Sequence, residues 1–357
     1  MVHFDTLAAQ NGFSLGVITL DAPARLNAQS LPMVWAMQEQ LDRWRDDPAV
    51  VAVLLRGAGE RAFCAGGDIK ALYHAMCDPL LIDEADAFFA HEYTLCMELR
   101  RYPKPVLAWG NGVVMGGGFG LFASSSHRVV TENSMLAMPE VAIGLFPDVG
   151  ASLWLQSFAD GAGRLMALSG IRINAADALA VGAADAALAA STWPMLLATL
   201  AELPWSGAGN GDALLLHGTL NALSSAQPCP LPSAQWPDVQ DEVVALMAGN
   251  DLQAVSARLS AYAGSNAWLA EAAAQHRAGS PHSIALAWTM AECAATVSDV
   301  ALLVLEIAAA RHCLRHGDFR EGVRAKLIDR DGLPHWRACT LQQAQADAQA
   351  MLAAARV

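Results

Sequence analysis

Positive charge is scarce in this chain of 357 residues, which has 22 Lys and Arg against 35 Asp and Glu and a net charge of −13. No basic run appears along the sequence, and an acidic balance repels a phosphate backbone. The composition therefore argues against a nucleic-acid-binding protein. A negative total does not exclude an anionic ligand, because a few local Arg, Lys and backbone N–H groups can hold one.

Charged residues are also few overall, at 16 %, whereas hydrophobic residues reach 54 %. This much apolar surface can offset the entropy lost on ordering, so the chain is not expected to be disordered. No window of about 18 apolar residues runs without a charge or a Gly/Pro break, which argues against a membrane-spanning helix. The seven cysteines form no C-x-x-C pair, and the N-terminus lacks the basic and apolar regions of a signal peptide. We therefore expect a globular cytoplasmic protein with reduced thiols.

Strand-like and helix-like segments alternate in the first part of the chain. Residues 50–55 (VVAVLL), for example, form a short apolar run typical of a strand buried on both faces. Such alternation with short connections predicts an α/β core over residues 1–200. Residues 201–237 are rich in Gly and Pro and predict a loop-rich connector. Residues 238–357 have a helical pattern again and predict a helical C-terminal region.

Three short segments combine residue types that can carry chemistry. The first, residues 62–70 (AFCAGGDIK), places two glycines after a predicted strand. Adjacent glycines let the backbone turn sharply and leave N–H groups accessible to a ligand carbonyl. An ordinary strand-to-helix turn, with Asp68 as a helix cap, is the alternative explanation.

The second segment, residues 112–120 (GVVMGGGFG), places glycines at the start of a predicted helix. Free N–H groups and the positive helix end meet there, which suits a developing oxyanion. Glu132 lies 20 residues beyond Gly112, so a dinucleotide fingerprint is a rival hypothesis. That motif requires glycine where Met115 stands, and it belongs at a first βα turn. Close packing of a helix against a sheet is the remaining alternative.

The third segment, residues 138–150 (MPEVAIGLFPDVG), places Glu140 and Asp148 in an otherwise apolar stretch. Burial would raise the pKa of these carboxyl groups and let one of them act as acid or base near neutrality. Two helix caps are the alternative. His312 and His316 have the spacing of two ligands on one helix face, but nothing completes a zinc site, so no metal is expected.

The order of the motifs is more specific than any motif alone. The segments that form this order are residues 26–28 (LNA), 65–68 (AGGD), 112–120 and 139–150. In this arrangement the chain resembles the enoyl-CoA hydratase/isomerase (crotonase) family. The resemblance implies an α/β fold of the ClpP/crotonase type, a spiral of ββα units, with a helical C-terminal region added. It also implies an acyl-CoA substrate, with CoA as part of that substrate and no resident cofactor.

Two positions distinguish the branches of this family. Gly120 stands where hydratases generally carry a carboxylate, and Asp148 stands where they usually have glycine. Residues 88–93 (FFAHEY), 137–150 and 317–325 (GDFREGVRA) look like the 3-hydroxyisobutyryl-CoA hydrolase branch. The resemblance therefore implies hydrolysis of a short β-hydroxyacyl-CoA. The alternatives are an enoyl-CoA hydratase or isomerase, and a non-catalytic CoA-ligand-binding protein on the same fold.

The resemblance also implies roles for single residues. Gly67 and Gly117 would each donate a backbone N–H to the thioester oxygen. Glu140 would attack the carbonyl or activate a water. Asp148 would bind the substrate hydroxyl and help position water or protonate the leaving thiolate. Glu92 would shape the acyl end of the pocket, with a helix-surface glutamate as the alternative.

The remaining implied residues concern the CoA part of the substrate and the partners. The residues expected to bind CoA are Arg25, Ala65, Asp68 and Ile69. No nucleic-acid or membrane partner is expected. Family members often assemble as trimers, but the helical C-terminal region could favour a smaller homo-oligomer.

Overall fold

The computed structural model describes residues 1–355. Internal contacts divide the chain into two compact units, each assembled from separate stretches of sequence. Unit 1 comprises Met1–Gly67, Leu95–Leu136 and Ile173–Ala234. Unit 2 comprises Asp68–Thr94, Ala137–Arg172 and Gln235–Val357.

The strands lie in the first 187 residues. They are β1 Val2–Ala8, β2 Ser14–Leu20, β3 Val50–Gly57, β4 Ala62–Cys64, β5 Val106–Gly110, β6 Val113–Met115, β7 His127–Val130, β8 Met135–Ala137, β9 Ile173–Asn174 and β10 Ala186–Ala187.

The helices continue to the end of the described chain. They are α1 Leu31–Asp46, α2 Ile69–Cys77, α3 Ile82–Arg100, α4 Gly117–Ser124, α5 Ala151–Trp154, α6 Ala162–Ser169, α7 Ala175–Ala180, α8 Trp193–Ala201, α9 Gly209–Ala226, α10 Trp236–Met247, α11 Leu252–Ser260, α12 Ala267–Ala278, α13 Pro281–Ala294, α14 Asp299–His316, α15 Phe319–Val323 and α16 Leu341–Ala354. Within residues 1–355, no helix is long and apolar enough to cross a membrane.

Unit 1 is built on a six-stranded sheet in the order β1-β2-β3-β5-β7-β10. Its pairs are parallel except for β1 with β2, which are antiparallel. Strand β3 contains the apolar run of residues 50–55, and all six of these residues are buried, as expected of an inner parallel strand. A second sheet, in the order β4-β6-β8-β9, carries the glycine-rich turns.

Helix α9 lies inside the segment predicted to be a loop-rich connector. It has 18 residues, so the prediction of loop was wrong for this part of residues 201–237. Its Leu216 and Leu220 are buried in the hydrophobic core of unit 1. The buried carboxylate of Asp212 accepts the backbone N–H groups of Ser206 and Gly207, each at 2.9 Å. The buried leucines and the bonded Asp212 together stabilise a helix whose glycine-rich start has a low helix propensity.

Unit 2 is mainly helical, as predicted for the C-terminal region. Helix α13 packs against α5, α6, α14 and α16. It begins at Pro281, and the Ser280 hydroxyl accepts the N–H of Ser283 as a helix cap. The core face of α14 carries residues at helical spacing, among them Leu302, Leu305 and Glu306. A carboxylate thus occupies a core position in this helix.

Candidate active site

Two glycine turns lie next to each other in unit 1. Strands β4 and β6 are parallel neighbours, with Cys64 opposite Val114, so the turns that follow them emerge at the same end of the sheet. Gly66 has a φ of +96°, and a Cβ there would lie 3.1 Å from the backbone nitrogen of Gly117. Glycine at position 66 therefore permits both the left-handed backbone and the close approach.

The two predicted oxyanion donors occupy these turns. Gly67 follows Gly66 and forms an isolated parallel bridge with Gln29. Gly117 is buried and is the first residue of α4, so its N–H is one of the four without an acceptor inside the helix. The sequence therefore places the N–H of Gly117 where a helix can bind an anion.

Gly118, the second residue of α4, leaves no space for a side chain. A Cβ at Gly118 would lie 2.2 Å from the carbonyl oxygen of Cys64. We expect Gly118→Ala to lower the free energy of unfolding by about 1 to 3 kcal/mol, because the backbone must shift. Chemical denaturation measures this change. Gly218→Ala in α9 is the matched control, since a Cβ there meets no atom within 4 Å, and an unchanged stability in Gly118→Ala would contradict the argument.

Residues 26–28 have a structural role in unit 1. Leu26 and Asn27 are both left-handed, with φ of 52° and 56°. The buried Asn27 amide accepts from one backbone N–H and donates to two backbone carbonyls, and thus fixes this bend. The N–H of Ala65 donates to the Leu26 carbonyl at 3.0 Å, and Arg25 lies exposed at the end of the preceding turn. Contacts of Arg25 and Ala65 with CoA stay predictions.

Asp68 and Ile69 begin α2 in unit 2. The Asp68 side chain accepts the N–H of Ala71 at 3.3 Å, so it acts as the helix cap that the sequence offers as an alternative. Ile69 is the first residue of the helix and is partly buried. Their contact with CoA stays a prediction.

Three carboxyl groups are buried in unit 2. Glu92, Glu140 and Asp148 are 2 %, 5 % and 3 % exposed. Glu92 lies in α3, on the buried face that also carries Phe88 and Phe89. Glu140 opens the short 3₁₀ turn Glu140–Ile143, and Asp148 precedes α5. The alternative explanation of Glu92 as a surface residue is therefore wrong.

The Asp148 side chain has a specific partner in unit 2. The Tyr93 hydroxyl donates to Asp148 Oδ2 at 2.6 Å. The cap position of α5 is Gly150, and it has no side-chain cap bond. The hypothesis that Asp148 serves as a helix cap is thus not supported, because its carboxylate binds a tyrosine hydroxyl instead.

Burial controls the protonation of these groups. It raises the pKa of Glu92 and of Glu140 well above the usual range, and the charge of Asp148 raises both further. Burial also raises the pKa of Asp148 to about 7, although the hydrogen bond from Tyr93 opposes the rise. Close carboxyl groups of this kind titrate together, so at neutral pH the cluster retains protons. It can therefore both accept and donate a proton near neutrality.

Glu140 differs from the other two acids in its surroundings. Its Oε2 is buried and has no hydrogen-bond partner within residues 1–355. Buried polar atoms are nearly always bonded, so an exception calls for a functional explanation. An unbonded carboxyl oxygen is available to a substrate or to a water molecule.

Sequence reasoning missed two residues beside Asp148. Tyr93 is 1 % exposed and directly follows Glu92 in the motif of residues 88–93. Glu306 is fully buried in α14, and it accepts the Gly150 N–H at 2.9 Å and the Ser152 hydroxyl at 3.0 Å. An acidic residue at a core position of an apolar helix was the available signal for Glu306.

A cavity of about 700 Å³ lies in unit 2. Its lining includes Pro147, Ser152, Arg164 and Trp288, with the Arg164 guanidinium 4.7 Å from the centre of the Trp288 ring. The three buried carboxyl groups are not part of this lining. We therefore assign the cavity no part in the chemistry.

Comparisons with known proteins place the chain in a family. A profile of the enoyl-CoA hydratase/isomerase family matches residues 15–352. The mitochondrial 3-hydroxyisobutyryl-CoA hydrolase of Danio rerio is 34 % identical over 330 residues, which cover 91 % of this chain and 83 % of that protein. The crystal structure of an enoyl-CoA hydratase from Rhodobacter sphaeroides 2.4.1 has a TM-score of 0.81 at 32 % identity, covering 98 % of this chain and 96 % of that chain. A carnitinyl-CoA dehydratase from Mycobacterium thermoresistibile gives the same values.

Parallel strands that end in glycine turns, together with buried acids, are suited to an enzyme that acts on acyl-CoA thioesters. The chain belongs to the enoyl-CoA hydratase/isomerase family. Its fold is the crotonase fold with a helical C-terminal region, which confirms the fold class predicted from the order of the motifs.

Proposed function

We propose that this protein hydrolyses a short-chain β-hydroxyacyl-CoA thioester, with 3-hydroxyisobutyryl-CoA as the lead substrate. The products are 3-hydroxyisobutyrate and CoA. The observation that carries the proposal is the burial of Glu92, Glu140 and Asp148 in one unit, each with a raised pKa. The name of the Danio rerio relative supports the choice of substrate.

Glu140 is the group that starts the reaction in this proposal. Acting as a base, it takes a proton from water while the water oxygen bonds to the thioester carbon. Acting as a nucleophile, it bonds to that carbon itself and forms a mixed anhydride, which water then cleaves. A carboxylate with a raised pKa is the stronger base and nucleophile whenever it is ionised.

Asp148 completes the reaction at the leaving group. When the carbon–sulfur bond breaks, the electron pair goes to sulfur, and the carboxyl group of Asp148 gives the thiolate a proton. A pKa of about 7 leaves a useful fraction of Asp148 protonated at neutral pH. We also propose that Asp148 binds the substrate hydroxyl and that Glu92 shapes the acyl end of the site.

Backbone groups stabilise the developing negative charge in the proposed reaction. The N–H groups of Gly67 and Gly117 bind the thioester oxygen as it becomes an oxyanion. One donor of this type is worth about 3 kcal/mol of barrier in other acyl-transfer enzymes. The close approach of Gly66 to Gly117 supports this assignment, because it brings the two turns together.

Local groups hold the CoA part of the substrate in this proposal. The exposed guanidinium of Arg25 contacts a CoA phosphate, and the residues around the first glycine turn contact the rest, namely Ala65, Asp68 and Ile69. CoA enters as part of the substrate, and we propose no resident cofactor. A protein with a net charge of −13 can bind an anion in this way, since local donors are sufficient.

Hydration of an enoyl-CoA is the second candidate function. The solved structures described above favour it, because one is called a hydratase and the other a dehydratase. Syn addition of water to a double bond calls for two carboxylates in the family. Helix α4 has Gly120 at the position where hydratases generally carry one of them, and this favours hydrolysis.

Two assays run side by side distinguish the candidates. We expect the protein to release free thiol from 3-hydroxyisobutyryl-CoA and to add no water to crotonyl-CoA. A thiol-reactive dye measures the first reaction, and the loss of absorbance of the conjugated thioester measures the second. Water addition without thiol release would replace hydrolysis by hydration. Inactivity in both assays, with CoA still bound, would leave a non-catalytic binding protein.

The compartment and the assembly are separate parts of the proposal. We propose the cytoplasm, and the seven cysteines, none of which forms a disulfide within residues 1–355, support a reducing environment. The Danio rerio relative is called mitochondrial, so fractionation of cells that express the chain is the test. We also propose a homo-oligomer, which light scattering can measure.

A further inference from the structure

Glu306 is a buried carboxyl group that the proposed chemistry does not use. It lies in α14 and is 0 % exposed. Both of its oxygens bind the segment that follows Asp148, with Oε2 accepting from Gly150 before α5 and Oε1 from Ser152 in the first turn of α5. Both donors are uncharged, so Glu306 has no ion-pair partner in these contacts that would offset the cost of burying its carboxyl group. The position of Glu306 therefore calls for a different explanation.

The loop that Glu306 binds has a strained backbone. Val149 has a φ of +52° and Gly150 a φ of +78°, so two consecutive residues are left-handed. This region disfavours a β-branched residue such as Val149. Backbone strain of this kind persists only where surrounding contacts fix it. Glu306 provides such a contact at the residue directly after Val149.

The same backbone determines where Asp148 lies. Asp148 directly precedes Val149, and its Oδ2 accepts the Tyr93 hydroxyl at 2.6 Å. Its carbonyl accepts the N–H of Ala151 at 2.8 Å. If Val149 relaxed to a negative φ, the peptide groups on both sides would rotate, and the Asp148 carboxyl group would move relative to Tyr93.

We propose that Glu306 is a positioning residue that acts through Asp148. Its carboxyl group fixes the strained backbone of residues 149–150 and so holds the Asp148 carboxyl group against Tyr93. The inference rests on the proposed hydrolysis, because it gives Glu306 a part in that reaction.

The protonation of Glu306 is consistent with this role. Burial raises the pKa of Glu306 to about 8, and the charge of Asp148 adds to the rise, while the bonds from Gly150 and Ser152 oppose it. At neutral pH the group therefore stays mostly protonated. It can hold the loop without placing a full negative charge beside Asp148.

Two substitutions test the role by kinetics. Glu306→Leu removes both acceptors, and we expect kcat to fall about 100-fold with KM changed less than about threefold. Glu306→Gln keeps one acceptor oxygen, so we expect a smaller loss of about 10-fold. If the leucine variant does not fold, the glutamine variant carries the comparison. Wild-type kcat in either folded variant would overturn the proposal.

A double-mutant cycle tests whether Glu306 acts through Asp148. In an Asp148→Asn background, we expect Glu306→Leu to add less than about threefold to the loss of kcat. If the leucine variant does not fold, Glu306→Gln takes its place in the cycle. The full loss in that background would show that Glu306 acts independently of Asp148 and would overturn the proposal. Asp212→Asn is the matched control, since Asp212 is also a buried carboxylate that binds loop N–H groups. It should lower stability and keep kcat, and an equal loss of kcat there would also contradict the role.

Crystal structures of the Glu306 variants give a readout that does not need activity. We expect the distance from Tyr93 Oη to Asp148 Oδ2 to exceed about 3.5 Å in Glu306→Leu, beyond hydrogen-bonding range. An unchanged contact would overturn the proposal. If the wild-type protein releases no thiol, the proposed function fails, and this measurement still decides whether Glu306 positions Asp148.

Discussion

Glu140→Gln is expected to reduce thiol release from 3-hydroxyisobutyryl-CoA by at least about 1,000-fold. The amide does not attack a carbonyl and does not take a proton from water, so both roles proposed for Glu140 are lost together. The substitution keeps the size of a side chain that is only 5 % exposed. Thiol release under saturating substrate measures kcat directly.

The control for this substitution is a carboxylate of unit 1. Glu132 Oε2 accepts the N–H of Ala190 at 2.9 Å, which gives Glu132 a structural contact in place of the ribose contact of a dinucleotide motif. We expect Glu132→Gln to keep kcat. Glu140 Oε2 has no hydrogen-bond partner within residues 1–355, so the amide group of Glu140→Gln can be left unbonded and lower the stability. The stability of the variant should therefore be measured by thermal unfolding alongside the assay. Undiminished turnover in folded Glu140→Gln would remove Glu140 from the mechanism.

The burial of the three site acids was predictable only through the order of the motifs. Glu140 and Asp148 stand in one motif and Glu92 in another, and no local pattern shows that all three share one unit. The local sequence did not decide whether Glu92 lies on the helix surface or in the site. Its spacing of three from Phe89 and four from Phe88 places it on an apolar helix face, and a helix buries such a face whatever residue it carries.

The contacts that hold Asp148 were not predictable from motifs. Glu306 is separated from Gly150 by 156 positions, and only the packing of the helices in unit 2 brings the two together. The strain at Val149 left no sign in the sequence either, because valine gives no indication of a left-handed backbone. Helix α9 was missed for the same reason, because tertiary packing forms it. The burial of Leu216 outweighs the low helix propensity of its glycine-rich start.

Asp148→Asn is expected to reduce kcat by about 100- to 1,000-fold while the affinity for CoA changes less than about threefold. Asparagine has the same shape and can still accept the hydrogen bond from the Tyr93 hydroxyl, so the side chain should stay in place. It cannot give a proton to the leaving thiolate as a carboxyl group does. Calorimetric titration with CoA measures the affinity, and thiol release measures kcat.

The pH dependence of kcat/KM should change in a defined direction. In the wild-type protein Glu140 and Asp148 titrate as a coupled pair, and the active form carries one proton, on Asp148. The rate should therefore rise as the first proton leaves the pair and fall as the second one leaves. Asparagine does not titrate, so the falling limb should disappear in Asp148→Asn. The limb that remains then reports Glu140 alone, whose pKa is raised by burial and no longer by the charge of Asp148. The other buried titratable groups that interact with Asp148 within residues 1–355 are Glu92, Tyr93, Glu306 and Cys313, and they are the same in both proteins.

This comparison separates a proton donor from a residue that only shapes the site. A residue that shapes the site would lower the rate at every pH and leave both limbs in place. A proton donor takes the falling limb away with it, since that limb reports the loss of its own proton. A falling limb retained in Asp148→Asn would therefore assign the donor to another group, of which Glu92 is the first to test because it is buried and its pKa is raised. Unchanged kcat would remove Asp148 from the mechanism, and with it the role proposed for Glu306.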